Sequence, residues 1–396
     1  MGICGSKEGL MAQIHGVNLG NWLVLEKWME PCLFSDTRAE DETWLNRLLP
    51  PDQLESRMKN HRDSYITEED FKEIASHGYN LVRLPVPYFL FGDRPPFLGC
   101  VEYVDRAFTW ASKYHLKILL DLHTAPGSQN GYDNGGILGV CKWHLNPKEV
   151  DYVLEVLVRL AKRYGTHPAL FGIEPINEPI SKRVFHTAPS KNRAMDPKEA
   201  DGSTFVPSLF LHHFYKKAYF KLREYMPLEK AVIFHDGFRL GEWKDFFLRN
   251  HMKNVYLDTH IYIWAMEGFV PFPSQKLYRT YLSMEKKAIR KAQLYTPVLV
   301  GEWCLCNHLA VDLPKEGWEE PYYLREEKKI YRSVANLELN AFKEAAGWCY
   351  WSWKLDPSSS YEGEDAWKAS WDLSHCHAKG WMPKKIPPTT KLQKGR

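Results

Sequence analysis

Eight short apolar, β-rich runs recur along the chain, at residues 15–19, 80–86, 117–123, 170–177, 231–236, 255–261, 297–302 and 347–353. Most are continuous rather than alternating, the pattern of parallel strands covered on both faces. Amphipathic stretches of helical period lie between them, at 66–77, 101–115, 147–164, 208–225, 277–295 and 323–346. In the first of these, Thr67 and Asp70 form a capping-box start and Gly78 a stop. No internal repeat or Ser/Gly-rich linker divides the 396 residues. Eight strand–helix units in that length predict an α/β chain folded as a single (β/α)8 TIM barrel over residues 15–381, between a leader (1–14) and a basic tail (382–396).

The loops predict which end of the barrel is functional. Helix-to-strand joints such as 76–79 are short, whereas strand-to-helix loops are long, at 124–146, 180–207, 303–322 and 354–381. In this fold the long set builds the C-terminal face, where chemistry is placed. Polar residues expected at strand ends are Arg83, His123, Asn177, Glu178, His260, Tyr262, Glu302 and Trp351. The composition suits a binding cleft: 15 Trp, 21 Tyr and 19 Phe exceed what a core requires. A net charge of +3, with both signs interspersed, argues against nucleic acid as a partner.

Glu178, after the fourth strand, and Glu302, at the end of the seventh, can face each other across a barrel mouth. Two facing carboxylates are what retaining glycoside hydrolysis needs, one ionised to attack the anomeric carbon and one protonated to release the leaving group. The expected division is that Arg83 keeps Glu302 ionised, while burial and the neighbouring charge raise Glu178.

Five segments carry a family resemblance: Gly16-Val17-Asn18-Leu19-Gly20-Asn21-Trp22-Leu23-Val24-Leu25-Glu26, Ala125-Pro126-Gly127-Ser128-Gln129-Asn130-Gly131-Tyr132-Asp133-Asn134, Asn177-Glu178-Pro179, His260-Ile261-Tyr262 and Gly301-Glu302-Trp303. In this order they resemble glycoside hydrolase family 5, in its exo-β-1,3-glucanase and β-glucosidase-like branch. The resemblance implies that Glu178 is the acid/base and Glu302 the nucleophile. It implies that Arg83 and Tyr262 hold the nucleophile, Asn177 bonds the sugar 2-hydroxyl, and His123 and His260 line the glucosyl subsite. Trp351 would be the sugar platform, and Glu26 would bind hydroxyls at the far end of a closed pocket, which means exo cleavage of β-glucosides or short β-glucan oligosaccharides without a cofactor. Two positions depart from the branch. Tyr132 stands where the entrance clamp commonly has Phe, and Ile263-Trp264-Ala265 lacks the phenylalanine partner, a place Trp264 can take.

Two other classes compete. A metal-dependent barrel hydrolase needs a ligand cluster such as His-x-His on the first strand, where this chain has His15-Gly16-Val17-Asn18. His375-Cys376-His377 reads as a surface loop, so no metal is expected. A non-catalytic sugar-binding barrel would have no need of both glutamates with Arg83 and Asn177. The eight cysteines show no CxxC pair or framework spacing and are expected as free thiols. With neither a secretion signal nor a membrane-spanning run, a cytoplasmic protein without an obligate protein partner is expected. Met1-Gly2-Ile3-Cys4-Gly5-Ser6 fits an acylation pattern at Gly2 and Cys4 that operates only in a eukaryotic host; the preferred reading is a leader before a second start at Met11.

Overall fold

Each apolar run forms a strand: β1 (Ile14–Asn18), β2 (Leu81–Val86), β3 (Lys117–Leu122), β4 (Leu170–Glu174), β5 (Ala231–His235), β6 (Val255–His260), β7 (Val298–Glu302) and β8 (Gly347–Tyr350). All pairings are parallel and follow chain order, and β8 pairs with β1 to close the barrel. The computed structural model describes residues 13–313, 319–356 and 359–384; Gly2, Cys4 and most of the basic tail lie outside them. No described helix is long and apolar enough to cross a membrane. The cysteines among the described residues are free.

The six expected helices appear as Glu68–Ser76, Val101–Lys113, Pro147–Tyr164, Ser208–Arg223, Gln275–Ala292 and Glu320–Phe342. The capping box is present, with Thr67 N donating to Asp70 Oδ2 at 2.7 Å. Asp70 also accepts from Trp353 Nε1 and Lys354 Nζ, so this cap ties the helix to the segment after β8.

Three local readings are corrected. Between β1 and β2 two further helices occur, Glu42–Leu48 and Pro51–Ser64. The longer one hides its pattern because it buries His61 and Arg62 beside Leu54 and Met58; Arg62 is satisfied by the carbonyls of Leu98 and Gly99. The β5–β6 crossover is not a full strand–helix unit. It holds only a 3₁₀ turn, Leu240–Glu242, and the short helix Phe246–Arg249. Phe247, stacked on Phe234 of β5 at 5.4 Å, and Trp243 cover the strand in place of a longer helix. Finally, His375–His377 lies in the helix Leu373–Lys379, not in a surface loop. Cys376 is buried and His377 stacks on His77 at 3.9 Å.

The barrel interior is layered because alternate strand residues point inward. Toward the N-terminal ends the layer is apolar, with Ile14, Leu81, Leu119, Ile233, Leu299 and Cys349 in one cluster. One inward step further along the strands it becomes charged, with Arg83, Asp121, Glu174 and Asp258, all fully buried. Gly301 gives this layer room: its N–H donates to Asp258 Oδ1 at 2.6 Å, and a β-carbon there would collide with the same carboxylate. Replacing Gly301 by Ala is expected to lower unfolding stability by about 1–3 kcal/mol in urea titrations, as overpacking of a close-packed site does. Gly241→Ala, where an added β-carbon meets nothing within 4 Å, should leave the midpoint unchanged.

Candidate active site

Arg83 organises the charged layer. It lies within β2, not at the strand end where it was expected, and its side chain crosses the barrel. Nε donates to Glu174 at 3.1 Å, Nη1 to Glu302 at 2.9 Å and Asn18 at 3.1 Å, and Nη2 to Asn177 at 2.9 Å. Asp121 is 3.2 Å from Nη2. Burial alone would lower the affinity of Arg83 for its proton. Asp121, Glu174, Glu302 and Asp258 more than reverse that, so the guanidinium stays charged.

Glu302 ends β7 and is fixed from both sides, by Arg83 on Oε1 and by Tyr262, whose hydroxyl donates to Oε2 at 2.8 Å. Burial, then the charge of Glu302, keeps that phenol protonated far above its usual range. Glu178 is placed differently. Regular β4 stops at Glu174, and Glu178 adopts a left-handed φ of +43° just before Pro179, a conformation costing about 1–3 kcal/mol for a non-glycine residue. Neighbours hold it there. Asn177 N donates to Leu122 O, and Gln129 Nε2 bridges the carbonyls of His123 and Asn177 at 2.8 and 2.9 Å. Asn134 Nδ2 donates to Glu178 Oε2 at 2.9 Å.

His260 joins the two glutamates. Its Nδ1 is 2.7 Å from Glu178 Oε1 and 3.3 Å from Glu302 Oε2. Those two carboxylate oxygens are therefore at most about 6 Å apart, a bound that admits the ~5–5.5 Å of retaining glycosidases. Burial opposes the imidazolium, but Glu302, Asp258 and Glu178 together hold His260 well above the usual histidine value.

The two shifts run opposite to the expected directions in the free site. Burial pushes Glu178 up, yet the hydrogen bond and charge of His260, helped by Asn134, outweigh it and leave the carboxyl below its ordinary value. Glu302 is raised: burial dominates, and His260 and Arg83 offset it only in part. The reason is position. The imidazolium sits closer to Glu178 than to Glu302.

Of the remaining expected residues, Glu26 and Trp351 line a pocket of about 350 Å³ with Glu178, Tyr262 and Glu302. His123 bonds Asp121 through Nδ1 at 2.5 Å, contacts Asn177 through Nε2 at 3.4 Å and stacks under Trp351 at 5.5 Å. Trp351 closes down on Gly20, where a β-carbon would lie 2.7 Å from the indole. Glu26 accepts from Trp28 Nε1 at 2.7 Å through Oε2, its Oε1 has no protein partner, and burial raises its carboxyl well above normal. Tyr132 is directed away, its hydroxyl donating to Ala188 O at 3.2 Å. Trp264 does line the pocket, stacked between His308 and Trp367.

Sequence reasoning missed Trp28, Asp133, Asn134, Trp367 and Trp371 on the wall, and Asp121, Glu174 and Asp258 beneath it. The last three had a signal: each is an acidic residue inside an apolar strand.

Glu178, His235 and His260 each bring one ligating atom within 4.8 Å of the others, a geometry a cation can use. The donor set does not fit one. His235 Nδ1 accepts from Gly237 N at 2.9 Å, which leaves its proton on Nε2, and His260 Nδ1 is committed to Glu178. Replacing His260 by Gln removes the cation, and burial should then lift Glu178 above the usual carboxylate range. Carboxyl ¹³C titration of the variant is expected to show that midpoint moving up; an unchanged midpoint would mean that His260 does not set it.

The family profile described as Cellulase (glycosyl hydrolase family 5) matches residues 52–357. A probable glucan 1,3-beta-glucosidase A of Emericella nidulans is 30% identical, covering 92% of this chain and 91% of its own. A glucan 1,3-beta-glucosidase of Blumeria graminis is 30% identical over 90% of this chain and 86% of its own. In fold the chain is similar to a rutinosidase from Aspergillus niger, at a TM-score of 0.72 and 21% identity, covering 94% of this chain and 98% of that one. With the profile spanning most of the barrel, this chain is a glycoside hydrolase that belongs to glycosyl hydrolase family 5.

Proposed function

We propose that the protein is an exo-acting, retaining β-glucosidase for short β-glucan oligosaccharides or β-glucosides. The observation that carries the reading is the single His260 nitrogen within 2.7 and 3.3 Å of the two glutamates, which brings their nearest oxygens within reach of double displacement. The names of the relatives support glucose as the sugar and β-1,3 as a linkage to test first. The pocket supports exo action, since about 350 Å³ is at the small end of the ~300–1,000 Å³ typical of ligand sites.

The free site already holds the proton the reaction needs. An imidazolium between two carboxylates contains as many protons as a neutral His260 beside a protonated Glu178. Shifting one proton along the 2.7 Å Nδ1–Oε1 bond therefore charges the acid without exchange with solvent. In the first displacement Glu302 attacks the anomeric carbon, the glycosidic C–O bond breaks, and Glu178 protonates the departing oxygen. Arg83 and Tyr262 hold the two oxygens of Glu302 through that step, and its charge disappears as the ester forms. In the second, Glu178 takes a proton from water, the oxygen adds to the anomeric carbon, and Glu302 leaves as carboxylate. Asn177, aligned by Arg83 and His123, would bond the 2-hydroxyl as positive charge develops on the ring.

Turnover of an aryl β-glucoside is expected to fall by at least about 10³-fold in Glu302→Ala, as loss of a nucleophile does in other hydrolases. Glu302→Gly with azide should give the α-glycosyl azide by nuclear magnetic resonance, whereas a β-azide would reassign the nucleophile. Glucose as the first product from a laminari-oligosaccharide panel supports exo action; release of longer fragments would overturn it.

A further inference from the structure

A second cavity of about 850 Å³ lies between the loops after β4 and β5, and no step above uses it. Its chemistry is opposite to that of the sugar pocket. Glu26, Asp133, Glu178 and Glu302 crowd the pocket, whereas Lys182, Arg183, His186 and Arg239 border the cavity against one carboxylate, Glu242. That carboxylate is engaged by Ser208 Oγ at 3.0 Å, and Arg183 feels the charge of Glu285. Burial lowers the affinity of Arg239 for its proton, outweighing the charges of Glu242 and Asp236 that it feels.

Arg239 is the unusual member. It is half-buried, and its Nη1 donates to Val206 O at 3.2 Å and Ser208 Oγ at 3.0 Å. Nε and Nη2 are buried with no partner among the protein atoms. A β-carbon on Gly237 would lie 2.6 Å from Nη2 and 3.1 Å from Nε, so this edge of the guanidinium packs against the glycine. A buried charged donor left unpaired is costly, and a rotation that turns this edge of the guanidinium toward an anion in the cavity removes the cost. Beside it stands an apolar wall. Lys182 Nζ lies 5.9 Å over the Phe205 ring, and Phe238 is held at a left-handed φ of +58°, unfavourable for a bulky side chain. The Phe238 ring packs edge-on to His235 at 5.1 Å, and His235 packs on His260 at 4.5 Å, so the cavity borders the catalytic groups through one ring.

We propose that this cavity is an oxyanion site that takes a phosphate or carboxylate carried on an aromatic body, with Arg239 and Lys182 facing the charge and Phe205 and Phe238 the ring. The oxyanion is either a free ligand or part of the leaving group of a glucoside, and one set of measurements separates the two.

The test is calorimetric titration of the whole chain with phenyl phosphate, a readout that does not depend on glucoside hydrolysis and so survives failure of the catalytic reading. Saturable binding of one molecule per chain is expected, weakened at least about tenfold in Lys182→Glu and further in Lys182→Glu/Arg239→Gln. Turnover of neutral phenyl β-glucoside should be unchanged in Lys182→Glu, an exposed substitution that guards against misfolding of the double variant. Phenyl phosphate that binds without affecting that turnover marks a free ligand. Competition that disappears in Lys182→Glu marks the leaving-group half of a substrate. The proposal is overturned by absent binding, by affinity unchanged in both variants, by inorganic phosphate binding as tightly as phenyl phosphate, or by competition that persists in Lys182→Glu.

Discussion

One buried guanidinium ties the barrel to its chemistry. Arg83 puts a full positive charge at the centre of a closed sheet, where an unpaired ion would cost several kcal/mol even after relaxation. It is tolerable because β3, β4, β6 and β7 each contribute a carboxylate and β1 an amide around its planar fork. Lysine cannot replace it, since a point charge with three donors does not span Glu174, Glu302, Asn18 and Asn177 at once. The arrangement makes catalytic geometry a by-product of barrel closure. Glu302 and Asn177 bond the same guanidinium, so neither can shift without the other.

Glu178 and Glu302 are positioned by unlike means. Glu302 completes a regular strand and inherits the precision of the sheet. Glu178 lies beyond its strand on a left-handed backbone, held by Gln129 from the loop after β3 and by Asn134 from further along that loop. This explains why the segment from Ala125 to Asn134 matters although it supplies neither glutamate: it is the clamp on Glu178.

Much of this was legible in the sequence. The strands and the six long helices follow from apolar runs and 3.6-residue periodicity, and Glu178 with Glu302 from acidic residues after such runs on the functional face. The rest was hidden for physical reasons. The helix Pro51–Ser64 buries His61 and Arg62, so its inner face does not read as apolar. Tyr132 and Asp133 are adjacent in sequence, yet only Asp133 lines the pocket, because loop direction is set by bonds such as Ser128 Oγ to Gly131 N and Asn130 Oδ1 to Tyr132 N rather than by periodicity. The directions of the two shifts were misjudged because the sequence shows two glutamates and an arginine but not that His260 lies between them. Its charge reverses the effect of burial on Glu178 and leaves it dominant on Glu302.

The aromatic surplus finds its use in the pocket wall. Trp28 stacks on Trp367 at 5.5 Å, Trp367 on Trp264 at 6.0 Å, and Trp371 meets both Trp28 and Tyr262 at 5.2 Å. These indoles come from the loops after β1, β6 and β8, so one continuous wall is assembled from segments far apart in the chain. Rings so packed lose little entropy when a sugar face stacks on them, because their rotamers are already fixed by one another. Glu26 adds an unpaired carboxyl oxygen at the same wall, where sugar hydroxyls can bond it. A pyranose entering this space meets indole on its C–H face and carboxyl groups on its hydroxyl edge.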